Sequence, residues 1–496
     1  VQQQQTNRLA WIILGCALVA GLLGDLLLKA PRWGINLPLY VVVICASLLV
    51  TARATGQRLM GGGRWLAIPA ILCAAVYAWH DSAMLLAGNL MVALLLLALF
   101  FERGRIGRLR VASVTDYVLG IFIAGINAIF GMLALLFNDI QWQALRQGAS
   151  SKRAVSGIAR VGVGVLLACP LLLIFGALFV AADANFAQLI HDLFAWDIKD
   201  LPLHLFLIAL FFWLCAGALR TALLNTPLHT EAIQSSGGRL GIVEIATVLG
   251  LLDVMFLAFV VLQFRYLFGG ASTLGYAEYA RRGFFELVAV AILVLLVLLA
   301  THWLLRKDAP FHVRLFNGLA GLLIGLEFVI MASAVQRMAL YVNEFGLTEL
   351  RLYTTAFMGW LALILVWFVL TVLRGKGERF AFGMLLAGLI ITVGLNVLNP
   401  DAFIAHINIT HLAQDGSVVE RPLDATYLAR LSADALPTLL EALPNVPDPQ
   451  RCQAAALILQ RYATPVTDWR AWNWSRAQAM QLVSAQQDYL EEIACR

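Results

Sequence analysis

Charge is what this sequence has least of. Only 13% of its 496 residues are Asp, Glu, Lys or Arg, and 61% are hydrophobic. A soluble domain averages about a quarter charged residues, so this chain cannot cover itself with a polar surface and reads as a polytopic membrane protein. Lysine is scarcer still, with five Lys against thirty Arg. Sequence motifs are missing too. There is no GxxxxGK followed by Ser or Thr, and no CxxC, HExxH or GxSxG. Those gaps remove the usual nucleotide-phosphate loop, the common zinc sites and the serine-hydrolase elbow. His406 and His411 are five apart and would not share a helical face, so no metal and no cofactor is predicted.

What is present in quantity is apolar sequence. A span needs about 20 mostly apolar residues. Twelve stretches come close: 9–28, 35–51, 65–79, 82–101, 114–137, 161–182, 201–224, 240–264, 284–305, 315–342, 352–373 and 380–398. Hydrocarbon offers backbone groups no partner, so an open chain crosses as helices. The expected fold is all-α: a bundle of 11–12 transmembrane helices and a small helical soluble domain at the C-terminus. Asp25 and "LLLKAPRW" do not look like a signal cleavage site, so 9–28 is read as a retained span.

The loops sort by charge. "TARATGQRLMGGGR", "ERGRIGRLR", "RKDAPFHVR" and "RGKGER" are basic, while 183–200 and 343–351 are acidic. Basic loops stay inside. That puts the last hundred residues outside, in the periplasm if the membrane is a bacterial inner membrane. Residues 1–160 form an N-terminal set of helices with basic inner loops, and 161–398 a core bundle. Segment 114–137 is basic on both sides and holds Gly120, Gly125, Asn127 and Gly131. It is either re-entrant or laid along the inner surface, leaving eleven crossings, or an ordinary span that breaks the charge rule. The apolar spacing of 184–197 predicts an interfacial helix on the outer side or one packed on the outer domain.

Residues 399–496 carry seven Arg and eleven acids, a net of −4 against +5 for the whole chain. The rest of the chain therefore carries +9, which suits loops meeting a membrane rather than nucleic acid. Helical spacing broken by "LPNVPDPQ" predicts a small all-helical domain, and core packing is the expected use of Trp469, Trp472 and Trp474. Cys16, Cys45, Cys73, Cys169 and Cys215 lie in apolar spans; Cys452 and Cys495 fall in the tail. Two Cys facing outward are a disulfide candidate, with two separate thiols as the other reading.

Ionisable residues inside spans are costly, about 2.5–3.5 kcal/mol for a central acid. Asp253 and Glu327 are such residues, and Arg337 is the cation expected to reach Glu327. Glu244 stands near the inner end of its span, where it could meet Arg220. On the outer side, Arg265 closes one apolar run and Glu286 opens the next, with Glu278, Tyr279, Arg281 and Arg282 between them. With Arg337 and Glu344 they predict a mixed-charge vestibule above Asp253 and Glu327. It would take a polar or anionic ligand or a lipid headgroup; the plainer alternative is a set of ion pairs locking helix ends.

Several stretches carry a family pattern: "LFVAADANFAQL", "LGIVEIATVLGLLDVMFLAFVVLQFRYLFGG", "YAEYARRGFFELVAV", "MALYVNEFGLTELRLY", "LNPDAFIAHINI", "LDATYLARLSADALPTLL" and "WRAWNWSRA". Across roughly 160–480 the sequence resembles bacterial multi-spanning proteins of the domain-of-unknown-function 4173 family, with the 4153 family as a relative. The resemblance implies a bacterial cytoplasmic-membrane protein with a helical tail and brings no activity. The first expectation is a non-enzymatic protein that binds membrane lipids, an envelope protein or a small polar or anionic ligand, in signalling, envelope maintenance or transport. A proton-coupled secondary transporter using Asp253 and Glu327 is the second. A transferase acting on a lipid-linked substrate, with Asp183 or Asp192 as its acid, is the third.

Overall fold

The computed structural model describes residues 2–54, 63–106, 109–140, 179, 183, 200–224, 240–268, 284–306, 309–414, 423–462 and 468–495. The expected segment 161–182, apart from Phe179, and the whole of the expected interfacial helix 184–197 lie outside the described residues. No strand occurs among the described residues, and ten helices there are long and apolar enough to cross a membrane. The chain is a multi-pass, all-helical membrane protein.

The apolar helices are α1 (Gln2–Leu28), α2 (Asn36–Ala54), α3 (Ala67–Trp79), α4 (Ala83–Ile106), α5 (Val114–Ala134), α6 (Leu201–Leu224), α7 (Ile242–Phe268), α8 (Phe284–Leu304), α9 (Pro310–Phe345), α10 (Glu349–Thr371) and α11 (Phe380–Leu398). Only α3 falls short of a full span; with its preceding turn it runs Gly63–Trp79. The tail holds α12 (Pro400–Gln414), α13 (Ala425–Arg430), α14 (Leu436–Ala442), α15 (Gln450–Tyr462), α16 (Trp474–Ala485) and α17 (Gln487–Ile493).

Local chemistry sets several boundaries. Ser113 and Asp116 form a capping box that starts α5. Asn399 ends α11 in the left-handed region at φ 51°, and Pro400 then occupies the first turn of α12. A short polar side chain tolerates that backbone, and proline suits a helix start, so the chain changes direction there without losing a hydrogen bond it needs.

Burial falls into three cores. One joins α1–α6 with Ala381 and Leu385 of α11. A second joins α7–α10 with Phe380. The third holds the tail, centred on Leu428, Leu439, Leu443, Ile458 and Leu490, and it takes in Leu347 from the turn between α9 and α10. The sulfurs of Cys452 and Cys495 are bonded, tying the end of α17 back to α15.

Contacts define two faces. On the tail face, Arg470 Nη1 donates to Leu26 O at 2.6 Å, at the end of α1, and Ile35 N donates to Trp472 O at 3.0 Å, before α2. Lys29 there meets Asp200, before α6, at 2.7 Å. On the opposite face lie the α10–α11 turn with Arg374, Lys376 and Arg379, and the start of α9, where Asn317 Nδ2 donates to Leu373 O at 2.8 Å. Helix α5 and its continuation Leu135–Asp139 touch this basic face three times. Tyr117 donates to Leu109 O at 2.9 Å, Asn127 Nδ2 donates to Glu102 at the foot of α4 at 3.3 Å, and Asp139 accepts from Arg220 at the foot of α6.

The tail tryptophans do not pack into a core. Trp469, Trp472 and Trp474 are exposed, as are Trp33 and Trp79 of the adjoining turns. Together they make an exposed aromatic cluster where the tail meets the bundle, the kind of residue enriched at membrane–water interfaces. The tail core is filled instead by Leu, Ala and Ile.

Candidate functional site

The residues expected to line a vestibule are only partly visible. Arg265 falls in α7, but its side chain lies outside the described residues, as do Glu278, Tyr279, Arg281 and Arg282. Glu286 is exposed in the first turn of α8, Glu344 is exposed near the end of α9, and Arg337 is half-buried two turns before it. Glu244 is exposed in the first turn of α7, and Arg220 pairs with Asp139.

Asp253 and Glu327 are buried, at 4% and 0% exposure. Neither carboxyl has a hydrogen-bond partner among the described residues. The expected Arg337–Glu327 pair does not form. Ten residues of α-helix separate the two by about 15 Å along the axis, and the two residues lie about 80° apart around it, so an arginine would have to fold back through packed Ile330, Met331 and Ala334 to reach.

A polar seam joins the tail to the bundle, and sequence reasoning missed it. Asp434 is its centre. Its carboxylate accepts from His80 Nδ1 at 2.9 Å, Ser475 Oγ at 2.6 Å, Ser432 Oγ at 3.0 Å and the Asp81 amide at 2.7 Å. His80 Nε2 donates to Asn396 O at 3.0 Å. Both ring nitrogens thus face acceptors, a carboxylate and a main-chain carbonyl. Burial alone would push Asp434 up, but the donors from His80, Ser475 and the Asp81 amide outweigh it and hold the carboxyl below its ordinary range.

Around this centre, Arg476 Nη1 meets Asp81 at 3.0 Å, and its other terminal nitrogen donates to Trp33 O at 2.8 Å and Ala471 O at 2.7 Å. Asp401 accepts from Ser82 Oγ at 3.1 Å and Ser432 N at 3.0 Å. Asn473 Nδ2 donates to Tyr77 O and His80 O, and Ser475 Oγ also contacts Trp79 O. Burial raises Asp81 and Asp401 above the ordinary carboxylate range. The signal for this seam was in the sequence. "LNPDAF", "RLSADA" and "WNWSRA" each place a small polar or acidic residue beside a helix break, and "WHDS" interrupts two apolar segments. Four separated fragments give no hint that they converge.

Beside the seam a cleft of about 970 Å³ runs between the two transmembrane cores. Its walls are α4, from Met84 to Glu102, and α10 and α11, from Tyr353 to Trp360 and Ala381 to Leu395. The first half of α5, with Tyr117, Val118, Ile121 and Gly125, lines it too, as does Thr221 of α6. The lining is almost wholly apolar. Its polar groups gather toward the ends: Asn89, Tyr353 and Thr392 on the tail side, Glu102 and Thr221 on the basic side. Asn89 and Asn396 exchange side-chain hydrogen bonds at 2.7 and 3.0 Å between α4 and α11.

A family model described as Domain of unknown function (DUF4153) matches residues 67–442. The chain belongs to this family. It is the relative named beside the 4173 family, and the match begins at α3, well before residue 160. It covers His80–Ser82, the whole cleft, Asp401 and Asp434, and stops short of Asn473–Arg476. No curated protein and no solved structure matches the chain.

Proposed function

We propose that this protein is a non-enzymatic membrane protein of the bacterial envelope that binds an amphipathic ligand where the cleft meets the tail seam. The carrying observation is the cleft itself: a large apolar cavity between two cores that ends at a polar junction holding the tail. A ligand seated there would touch α4, α10 and α11, the helices whose tail-side ends bear His80–Ser82, Glu349 and Asn396. Ligand occupancy would thereby act on the tail. Charge-sorted loops support an inner-membrane orientation with the tail in the periplasm. On charge pattern, the charged lip from Arg265 to Glu286, with Arg337 and Glu344, would lie on the same outer surface and would receive a polar partner. A photoreactive residue at Gly88, where a side chain meets open space, should capture a membrane amphiphile. The same residue at Gly318, exposed on α9 away from the cleft, should not. Equal capture at both positions would reject the reading.

A second reading has its own observation. Asp253 and Glu327 are buried within the spans on the packed helices α7 and α9, without a hydrogen-bond partner among the described residues. Buried carboxyls left without protein partners are the groups a proton-coupled carrier uses. Labelling of Glu327 by a hydrophobic carbodiimide, blocked by Glu327→Gln and sensitive to pH, would favour it; an unreactive Glu327 would remove it.

A further inference from the structure

The cleft has a shape, a closed end and a charged rim, and together they specify an occupant. Along α4 its wall runs from Met84 to Glu102. Eighteen residues at 1.5 Å each make about 27 Å, close to the ~30 Å thickness of a bilayer's hydrocarbon core. Met91 and Leu94 in that wall are 73% and 58% exposed, so the cleft is open sideways to the bilayer. At the basic face, α5 lines the cleft while its start, middle and end touch Leu109, Glu102 and Arg220. Helix α5 therefore packs over that end of the cleft and reaches up α6 as far as Trp213, whose Nε1 donates to Ile129 O at 2.6 Å, so the basic end is closed. An amphiphile can therefore enter with its chains toward α5 only if its headgroup stays at the tail end.

The tail-end rim is acidic. Tyr353 lines the cleft, and Glu349, Asp401 and Asp434 all act electrostatically on its hydroxyl. Asp434 and Asp401 are spoken for by the seam. Glu349 sits one turn above Tyr353, on the same side of α10. Its carboxylate accepts no hydrogen bond among the described residues, and the charge acting on it is Asp401, of like sign. Arg351, the nearby cation on α10, donates to Gly346 O and covers the Tyr341 ring at 4.0 Å. The rim thus has an uncommitted acid, and its nearby base, Arg351, is already engaged.

Resting on the ligand-binding reading above, we propose that the cleft holds one membrane lipid of the tail-side leaflet, with its chains along α4 and an amine-bearing headgroup at Glu349 and Tyr353. An ammonium donates to the free carboxylate and the phenol oxygen, whereas an anionic headgroup without an amine would meet like charge.

The test is native mass spectrometry of the full protein released from bilayers of equal phosphatidylethanolamine and phosphatidylglycerol. The wild type should retain one lipid, enriched in the ethanolamine form. Gly88→Trp and Gly125→Leu, both placed where a side chain meets open space, should lose it, and Gly318→Trp should keep it. Glu349→Gln should still hold a lipid but lose the preference. If no lipid is retained, or the cleft-filling variants retain it like the wild type, the ligand-binding reading of the cleft falls. If lipid is lost on filling the cleft but phosphatidylglycerol binds as well as phosphatidylethanolamine, or Glu349→Gln keeps the preference, only the headgroup assignment falls.

Discussion

The tail seam and the second transmembrane core treat buried charge in opposite ways. In the seam, Asp81, Asp401, Asp434 and Arg476 are buried or nearly so, and each has partners at hydrogen-bond distance. In the second core, Asp253 and Glu327 are as deeply buried and have none among the described residues. Burying a charge is tolerable only with compensation, so the two regions have different reasons to carry acids. The seam uses them to fix one structure against another. The core holds them against its own stability, the usual mark of a group retained for what it does rather than for what it supports.

The comparison breaks most sharply at Asp434. Asp434→Ala leaves His80, Ser475 and the Asp81 amide facing a void and should destabilise the tail–bundle contact by about 3–5 kcal/mol. Limited proteolysis of the reconstituted protein should then cut within the tail under conditions that spare the wild type. An uncut tail in Asp434→Ala would mean that the seam is incidental to its docking. Glu327→Leu should do the reverse. Removing an unpaired acid from mid-membrane relieves a cost of about 2.5–3.5 kcal/mol, so the melting temperature should rise, with any transport or binding activity lost. A fall in melting temperature would show that Glu327 is stabilising and that the contrast is false.

Acid sharpens the contrast within the seam. Asp434 has a lowered pKa, so its contribution is present above the ordinary carboxylate range and is lost as pH falls through the lowered value. Asp81 and Asp401 have raised pKa values. They favour the docked tail below the ordinary range, and that help is lost as pH rises through their raised values. Wild-type tail docking, followed by proteolysis, should weaken at the acid end as Asp434 takes up its proton. Asp434→Asn should be weak at neutral pH and should hold or gain slightly on acidification, because the raised acids Asp81 and Asp401 remain while the lowered one is gone. An acid profile for Asp434→Asn that matches the wild type would remove Asp434 from the account.

The apolar layout was legible from composition and period. Ten expected spans reappear as helices, because a run of about twenty apolar residues has few alternatives in hydrocarbon. The helical tail was legible from its spacing. What could not be read was convergence. His80, Asp401, Asp434 and Arg476 are far apart in sequence, and each alone looks like a helix cap or a solvated charge. The tail aromatics misled for a related reason: a tryptophan in a soluble segment reads as core, but where this segment docks onto the bundle Trp469, Trp472 and Trp474 stay exposed. The expected Arg337–Glu327 pair failed on helical geometry, since ten residues along and part-way round one helix is too far for side chains that do not bend back. The cleft left no trace in the sequence, because a cavity wall and a packed core use the same residues.

The smallest effect concerns a charge pair that resembles the seam only on paper. Lys29 meets Asp200 at 2.7 Å on the tail face, beside the Asp25–His204 contact, also at 2.7 Å. Asp200 is exposed at 53%, and its pKa is lowered first by the hydrogen bond from Lys29. Water and salt screen such a pair, and holding the lysine in one rotamer offsets what attraction remains. Asp200→Asn should leave the melting temperature and the proteolysis pattern unchanged in low and high salt, while Asp25→Asn, whose carboxylate is buried against His204, should lower both stability and protease resistance. If Asp200→Asn destabilised the protein as much as Asp25→Asn, burial would not be what separates structural pairs from incidental ones here. The ranking of the seam above the surface would then lose its physical basis.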